Sequence, residues 1–141
     1  MQKRLNNPIL CGKKKHKMAS KQRRGIKQIY AAFLWSMQGL KASFKHEASF
    51  RLEVYLALIL TPCAIYLAQS PMQLLLLLSV LLMVLIIEIL NSAIEAVVDM
   101  VCGEKYHDLA KRAKDMGSAA VFLGQILVVG TWASVVYINY F

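Results

Sequence analysis

The hydrophobic and polar positions of the chain form successive patterns from the N-terminus onward. Residues 1–21 are polar and basic without apolar periodicity, which predicts a disordered tail. Residues 22–47 carry apolar side chains at helical spacing among lysines and glutamines, which predicts an amphipathic helix on a membrane surface. Residues 48–141 form the predicted membrane domain, with apolar stretches at about 50–69, 72–101 and 116–140. The predicted fold class is therefore an all-α membrane protein, with one surface helix and three transmembrane helices.

The composition supports a membrane location. Of 141 residues, 57% are hydrophobic and only 18% are charged, and the mean hydropathy is +0.47. A soluble domain of this size needs more polar surface. The three cysteines form no CxxC pair, which argues against a zinc site or a disulfide framework.

The charge of the chain is concentrated at its N-terminus. The net charge is +9, residues 1–27 hold ten of the seventeen lysines and arginines, and no acid precedes Glu47. Such a segment is attracted to anionic lipid or to nucleic acid. Because no nucleic-acid-binding motif is present, we expect the lipid leaflet as the partner and no nucleic acid. The loop at residues 103–115 is also rich in lysine and arginine, so the positive-inside rule predicts a cytoplasmic N-terminus and a periplasmic C-terminus.

The second apolar stretch contains the most informative residues. At about 100° per residue, Glu88, Glu95 and Asp99 fall on one helix face. Asn91 and Ser92 flank them. An acid within a span costs about 2.5–3.5 kcal/mol and is tolerated where it serves a polar cavity. Asp99 and Glu95 have an alternative location at the cytoplasmic interface. For Glu88, nearly four turns in from the loop, that alternative is the less favoured one. Oxygen ligands of this kind favour Mg²⁺.

Two further groups of charged residues leave alternatives open. The basic run from Lys111 to Lys114 fits either a polyphosphate site or simple positive-inside flanking. Glu47 fits either a metal ligand or a surface ion pair, and its surroundings alone favour the ion pair. No Walker A loop, kinase glycine-rich loop or GxSxG motif is present.

Two motifs resemble those of the prokaryotic diacylglycerol kinase family. They are Glu88-Ile-Leu-Asn91-Ser92-Ala-Ile-Glu95-Ala-Val-Val-Asp99 and Arg112-Ala-Lys114-Asp115-Met-Gly-Ser118-Ala-Ala-Val. Shorter matches occur at Gly39-Leu40-Lys41-Ala42 and Glu47-Ala48-Ser49-Phe50-Arg51. The resemblance covers roughly residues 26–141.

The resemblance implies a homotrimer in the bacterial inner membrane that transfers phosphate from MgATP to diacylglycerol, giving phosphatidic acid. It implies Glu88 as the general base, and Glu47 and Glu95 as ligands of Mg²⁺. The residues implied to bind the nucleotide are Gln28, Trp35, Glu47, Glu95, Lys105, Tyr106, His107, Lys114 and Asp115. The residues implied to bind or support the lipid substrate are Ser36, Lys41, Arg51, Glu53, Glu88, Asn91, Asp99, Ser118 and Trp132.

The chain departs from the family pattern in the surface helix. Gln28 stands where the family commonly has an arginine, with Lys27 and Arg24 nearby, and Trp35 and Met37 replace a tyrosine and a tryptophan. The loop from Cys102 to Lys105 is one residue longer than the commonest spacing. The alternative functions are an undecaprenol kinase and, from another class, a non-catalytic membrane scaffold or cation pathway.

Overall fold

The computed structural model describes residues 25–103 and 106–141, and every regular element in these ranges is an α-helix. The helices are α1 (Ile26–His46), α2 (Ala48–Leu67), α3 (Pro71–Cys102) and α4 (Asp108–Tyr140). Within the described residues, α2, α3 and α4 are each long and apolar enough to cross a membrane. The expectation of an all-helical chain with three membrane-spanning helices is confirmed. The tail at residues 1–21 and the first residues of the predicted surface helix lie outside the described residues.

The chain divides into two compact units, one ending at Trp35 and the other beginning at Ser36. The described part of the first unit is Gly25 and the start of α1. Gly25 has a φ of 90° and its carbonyl accepts a hydrogen bond from the amide of Gln28, so it sets the first turn of α1. The second unit contains the remainder of α1 and the three long helices.

The junction between α1 and α2 is a single extended residue, Glu47. The guanidinium of Arg51 donates hydrogen bonds to the carbonyls of Phe44 (3.2 Å) and Lys45 (3.1 Å). These carbonyls belong to the last turn of α1, where no amide of the helix remains to satisfy them. Phe44 also contacts Tyr55 edge to face. Arg51 thus caps α1 from the first turn of α2 and fixes the direction in which the chain enters α2.

The turn between α2 and α3 is held by uncharged side chains. Ser70 caps α3 by accepting the amide of Gln73, and Pro71 occupies the first turn. The carboxamide of Gln73 donates to Asn139 on α4 (2.8 Å), and Asn139 donates to the carbonyl of Leu67 on α2 (2.8 Å). This group, called the amide clamp below, connects all three long helices at the end opposite the α3–α4 loop. Beside it, Ala64, Leu77 and Val135 form a buried apolar cluster.

The α3 helix packs closely against α4 because glycines lie between them. A Cβ on Gly124 would stand 3.1 Å from Ile87 Cδ1 and 3.3 Å from Val84 Cγ2. A Cβ on Gly117 would meet the side chain of Asn91. Small residues that let helix backbones approach are typical of helix contacts in membranes. They bring the polar face of α3 directly against α4.

Candidate active site

The polar face of α3 is buried against its neighbours. Glu88 is 3% exposed, Ser92 7% and Asn91 9%, and these are the buried polar residues among those that the structure describes. The helical spacing predicts that they share a face, and the packing of α2 and α4 covers that face. Glu95 is half-buried one turn further along, and Asp99 is exposed. The stripe therefore runs from the protein interior toward the α3–α4 loop.

A cleft of about 300 Å³ opens beside this stripe, and we call it the acidic cleft. It is bounded by α2, α3 and α4 and is lined by Ser49, Leu52, Glu53, Glu88, Asn91, Glu95, Ser118, Val121, Phe122 and Gln125. Glu53, Glu88 and Glu95 all line this cleft. Carboxylates are thus concentrated around one buried acid.

Amide side chains hold two of these carboxylates. Asn91 Nδ2 donates to Glu95 Oε1 (3.2 Å), which fixes the acid one turn further along α3. On the opposite wall, Gln125 Nε2 donates to Glu53 Oε1 (2.6 Å). Asn91 Oδ1 is buried against Gly117 and accepts no hydrogen bond from any described residue. The cleft therefore contains oxygen atoms that the described part of the chain does not satisfy.

A second cleft of about 260 Å³ lies at the loop end of α3 and α4, and we call it the loop cleft. Its lining residues are Val98, Asp99, Cys102, Gly103, Tyr106, His107, Ala110, Lys111, Lys114 and Asp115. Lys114 pairs with Asp99 (2.6 Å) and Lys111 pairs with Asp115 (2.7 Å). Three of these side chains are largely exposed and that of Lys114 is partly exposed, and ion pairs near the surface contribute little to stability. Their cations can therefore exchange one anion for another at small cost.

The start of α4 explains why the basic residues face this cleft. The helix begins at Asp108, whereas the predicted third span begins at residue 116. His107 caps it, because its Nδ1 accepts the amide of Leu109 (3.2 Å). The first turns of α4 thus extend beyond the apolar segment and carry Lys111 and Lys114 to the level of Asp99.

An apolar groove of about 470 Å³ lies near the amide clamp, between α2 and α4. It contains Trp132, whose indole Nε1 is buried and has no hydrogen-bond partner among the described residues. Trp132 is fourteen residues from Ser118 on the same helix, roughly 20 Å along the axis. The structure therefore separates Trp132 from the acidic cleft, although the resemblance groups them.

The structure brings together only part of the predicted site. The predicted residues that line the acidic cleft are Glu53, Glu88, Asn91, Glu95 and Ser118. Those that line the loop cleft are Asp99, Tyr106, His107, Lys114 and Asp115. The second unit contains five predicted residues that line neither cleft, namely Ser36, Lys41, Glu47, Arg51 and Trp132. Gln28 and Trp35 belong to the first unit, and Lys105 lies outside the described residues.

Sequence reasoning misses the roles of Gln125, which lines the acidic cleft, and of Gly117, which packs against Asn91 beside it. Gln125 is the only carboxamide in the uncharged segment between Gly117 and Ile138, and an amide isolated in a membrane span is a signal for an interhelical hydrogen bond. Gly117 has no such signal. Gly117 matters because α3 approaches it closely, and this approach cannot be deduced from the sequence of α4.

The donor set of the acidic cleft fits a divalent cation. The two ion pairs found among the described residues both lie in the loop cleft, so the acids around Glu88 have no cationic side chain paired with them there. No three of the described acids, histidines and cysteines are close enough to form a complete metal cage. Mg²⁺ needs no such cage, since it usually combines one or two carboxylates with water and substrate phosphates.

The fold and the clefts together define a small polytopic membrane protein with a buried, carboxylate-lined site. The sequence model of the prokaryotic diacylglycerol kinase family matches residues 34–136. The chain belongs to this family. Gln28 lies outside the matched residues, whereas both clefts lie within them.

Individual relatives agree with the family match. The diacylglycerol kinase of Pseudomonas aeruginosa is 46% identical over 111 residues, which are 79% of this chain and 89% of the relative. The diacylglycerol kinase of Escherichia coli strain K12 is 43% identical over 116 residues, which are 82% of this chain and 94% of the relative. The diacylglycerol kinase of Haemophilus influenzae is 40% identical over 113 residues, which are 80% of this chain and 95% of the relative. The similarity therefore covers nearly the whole of each relative.

Proposed function

We propose that the protein is a lipid kinase that transfers the γ-phosphoryl group of ATP to the primary hydroxyl of diacylglycerol, giving phosphatidic acid and ADP. The observation that carries this proposal is the buried Glu88 at the centre of the acidic cleft. Membership of the prokaryotic diacylglycerol kinase family supplies the substrate class.

Glu88 is the proposed general base. A general base must lie within hydrogen-bonding reach of the hydroxyl whose proton it accepts. In the reaction, the hydroxyl oxygen forms a bond to the γ-phosphorus, and its proton passes to the carboxylate of Glu88. The bond from the γ-phosphorus to the bridging oxygen breaks, and the electron pair leaves with ADP. The packing of α2 and α4 over Glu88 limits the access of water, which would otherwise compete as acceptor of the phosphoryl group.

Glu47 and Glu95 are the proposed ligands of Mg²⁺. The hydrogen bond from Asn91 directs one oxygen of Glu95 and leaves the other available. Glu47 stands at the break between α1 and α2, and its side chain makes no capping hydrogen bond. A bound Mg²⁺ would neutralise charge that develops on the phosphates during transfer.

The loop cleft is the proposed site of the nucleotide phosphates. Lys114 and Lys111 are held by aspartates in the free protein, and polyphosphate would replace the aspartates as their partner. Tyr106 and His107 are exposed at the edge of the same cleft, where an aromatic surface suits a nucleotide. Gln28, Trp35 and Lys105 are proposed as nucleotide residues from the resemblance alone.

The remaining proposed residues serve the lipid or support the site. Glu53, Asn91 and Ser118 line the acidic cleft beside Glu88. Arg51 fixes the α1–α2 junction through its two carbonyl contacts, which makes its role a supporting one. The other residues proposed to bind the lipid or support the site are Ser36, Lys41, Asp99 and Trp132.

We propose that the protein lies in the inner membrane of a bacterium, with a cytoplasmic N-terminus and a periplasmic C-terminus. The concentration of lysine and arginine in residues 1–27 and in residues 103–115 supports this orientation. The described part of α1 exposes Ile26, Ile29 and Phe33, as expected of a helix that lies on lipid. The proposed assembly is a homotrimer, since a single chain with three spans leaves its acidic cleft open.

The test is ATP-dependent phosphorylation in detergent–lipid micelles, with diacylglycerol and undecaprenol offered separately. We expect phosphatidic acid from the parent protein and a loss of at least about 100-fold in kcat for Glu88→Gln, because general-base catalysis contributes about 10²–10⁴-fold. Asp108→Asn is the matched control, since it makes the same chemical change at an exposed acid that lines neither cleft.

Three outcomes separate the alternatives. Phosphorylation of undecaprenol alone would retain the mechanism and replace the substrate. Full activity of Glu88→Gln would remove Glu88 from the role of base. A folded protein that phosphorylates neither lipid would contradict the kinase function and favour a scaffold or a cation pathway.

A further inference from the structure

Gln125 is a polar residue of the acidic cleft that the proposed mechanism does not use. It lies on α4, within a segment that carries no formal charge from Gly117 to Phe141. Its side chain crosses to α2, where Nε2 donates to Glu53 Oε1 at 2.6 Å. Hydrogen bonds to an ionised acceptor are shorter and stronger than neutral ones. The bond therefore holds one oxygen of Glu53 in a defined position on the wall of the acidic cleft.

The position of Gln125 along α4 separates it from the nucleotide residues. Its neighbour Gly124 packs against Val84 and Ile87, next to Glu88 and away from the loop. Lys114 lies eleven residues earlier on α4, roughly 16 Å along the axis. The pair of Gln125 and Glu53 therefore lies at the membrane side of the cleft, where the lipid hydroxyl would approach.

Of the three carboxylates in this cleft, Glu95 is the proposed ligand of Mg²⁺, and Glu53 and Glu88 are both able to accept a hydrogen bond from the lipid hydroxyl. The primary hydroxyl of diacylglycerol has a single hydrogen to donate, and it is the only donor of that lipid. Glu53 and Glu88 line the same cleft, on α2 and α3 respectively. A hydroxyl that donates to Glu53 would be bound without being aligned with the proposed base.

We propose that Gln125 is a positioning residue that fixes the orientation of the Glu53 carboxylate and thereby directs the lipid hydroxyl to Glu88. This inference rests on the proposed lipid-kinase function. The amide donor of Gln125 holds Oε1 of Glu53 toward α4, so the Glu53 carboxylate is not free to turn and accept the hydroxyl hydrogen. Gln125 acts through Glu53 and takes no part in the proton transfer itself.

The kinetic consequence is specific. When Gln125 loses its donor, part of the bound lipid donates to Glu53 and is unproductive. Unproductive binding lowers kcat and the KM for diacylglycerol by the same factor, so kcat/KM stays constant. One hydrogen bond is worth about 1 kcal/mol, so we expect each constant to fall about five-fold. Loss of fold, by contrast, lowers kcat and leaves KM unchanged.

The experiment uses Gln125→Met, which keeps the length of the side chain and removes its donor, with Gln125→Leu as a second variant. Both are assayed for kcat and for the KM of diacylglycerol and of MgATP in mixed micelles. Gln73→Met is the matched control, because Gln73 also donates a hydrogen bond between helices, at the opposite end of the bundle. Thermal unfolding of each variant measures the loss of stability that follows from removing an interhelical hydrogen bond.

A second arm tests whether Gln125 acts through Glu53. In the Glu53→Gln background the competing carboxylate is absent, so adding Gln125→Met is expected to change kcat less than two-fold relative to Glu53→Gln alone. A fall in kcat with unchanged or raised KM, an unchanged kcat, or an equal loss in both backgrounds would overturn the inference. Phosphorylation of diacylglycerol by the parent protein establishes the proposed function whichever of these results is found.

Discussion

At the scale of single residues, the acidic cleft depends on small and uncharged side chains as well as on its acids. Glu88 is conspicuous because an acid in an apolar segment is costly. The residues that shape its surroundings are a glycine and two amides, namely Gly117, Asn91 and Gln125. Each acts by position, since each determines where a carboxylate lies.

Gly117 gives the clearest prediction at this scale. A Cβ at this position would run into the side chain of Asn91, and Asn91 holds Glu95. We expect Gly117→Ala to displace Asn91, to lower kcat about ten-fold or more, and to reduce the thermal stability measured in detergent. An alanine in a helix interior otherwise stabilises by about 0.5–1 kcal/mol relative to glycine.

The control is Gly130→Ala on the same helix, where an added Cβ meets no atom within 4 Å. This variant is expected to keep its activity and to unfold at the same or a slightly higher temperature. Equal behaviour of the two alanine variants would show that the contact of Gly117 with Asn91 is unimportant for the site.

At the scale of helices, the sequence predicts the structure correctly where the spacing of residues within one helix determines which face is buried. The spacing of Glu88, Asn91 and Ser92 predicts one face of a helix, and the structure buries that face. Contacts between helices lack such a signal. Neither the capping of α1 by Arg51 nor the bond from Gln125 to Glu53 follows from the spacing within one helix, because each joins residues of different helices.

The amide clamp supports a prediction for the helix bundle. Asn139 bonds to Gln73 on α3 and to the carbonyl of Leu67 on α2, so Asn139→Ala removes contacts to two helices. Single interhelical hydrogen bonds in membranes are worth about 0.6 kcal/mol on average and up to about 1.7 kcal/mol. We expect a loss of about 1–2 kcal/mol in the free energy of unfolding and a KM for MgATP within two-fold of the parent.

Unfolding in detergent, followed by circular dichroism, measures this loss. Ser134→Ala is the matched control, because its hydroxyl bonds only within α4, to the carbonyl of Gly130. If Asn139→Ala is no less stable than Ser134→Ala, the amide clamp does not hold the helices together.

At the scale of the whole molecule, the sequence yields the architecture more readily than the site. Three apolar segments predict three spans, and the structure has three helices of the required length and composition. The family motifs predict membership that the family model and the relatives confirm. The division of the site into two clefts is not predictable, because it follows from where α4 begins. Its start at Asp108 carries Lys111 and Lys114 to the loop cleft, away from Glu88.

The charge distribution leads to a prediction for the whole molecule on its membrane. The N-terminal segment holds most of the lysines and arginines, and each basic residue near anionic lipid contributes about 1 kcal/mol, a contribution that salt screens. Deleting residues 1–20 is expected to weaken binding of the protein to anionic liposomes at low salt and to leave binding to neutral liposomes unchanged. Replacing Lys13, Lys14, Lys15 and Lys17 by glutamine keeps the length and removes the charge, so it should reproduce most of the loss. Flotation of both variants across a salt series measures this, and equal binding of the parent and the deletion at low salt would show that the segment has no role in docking on lipid.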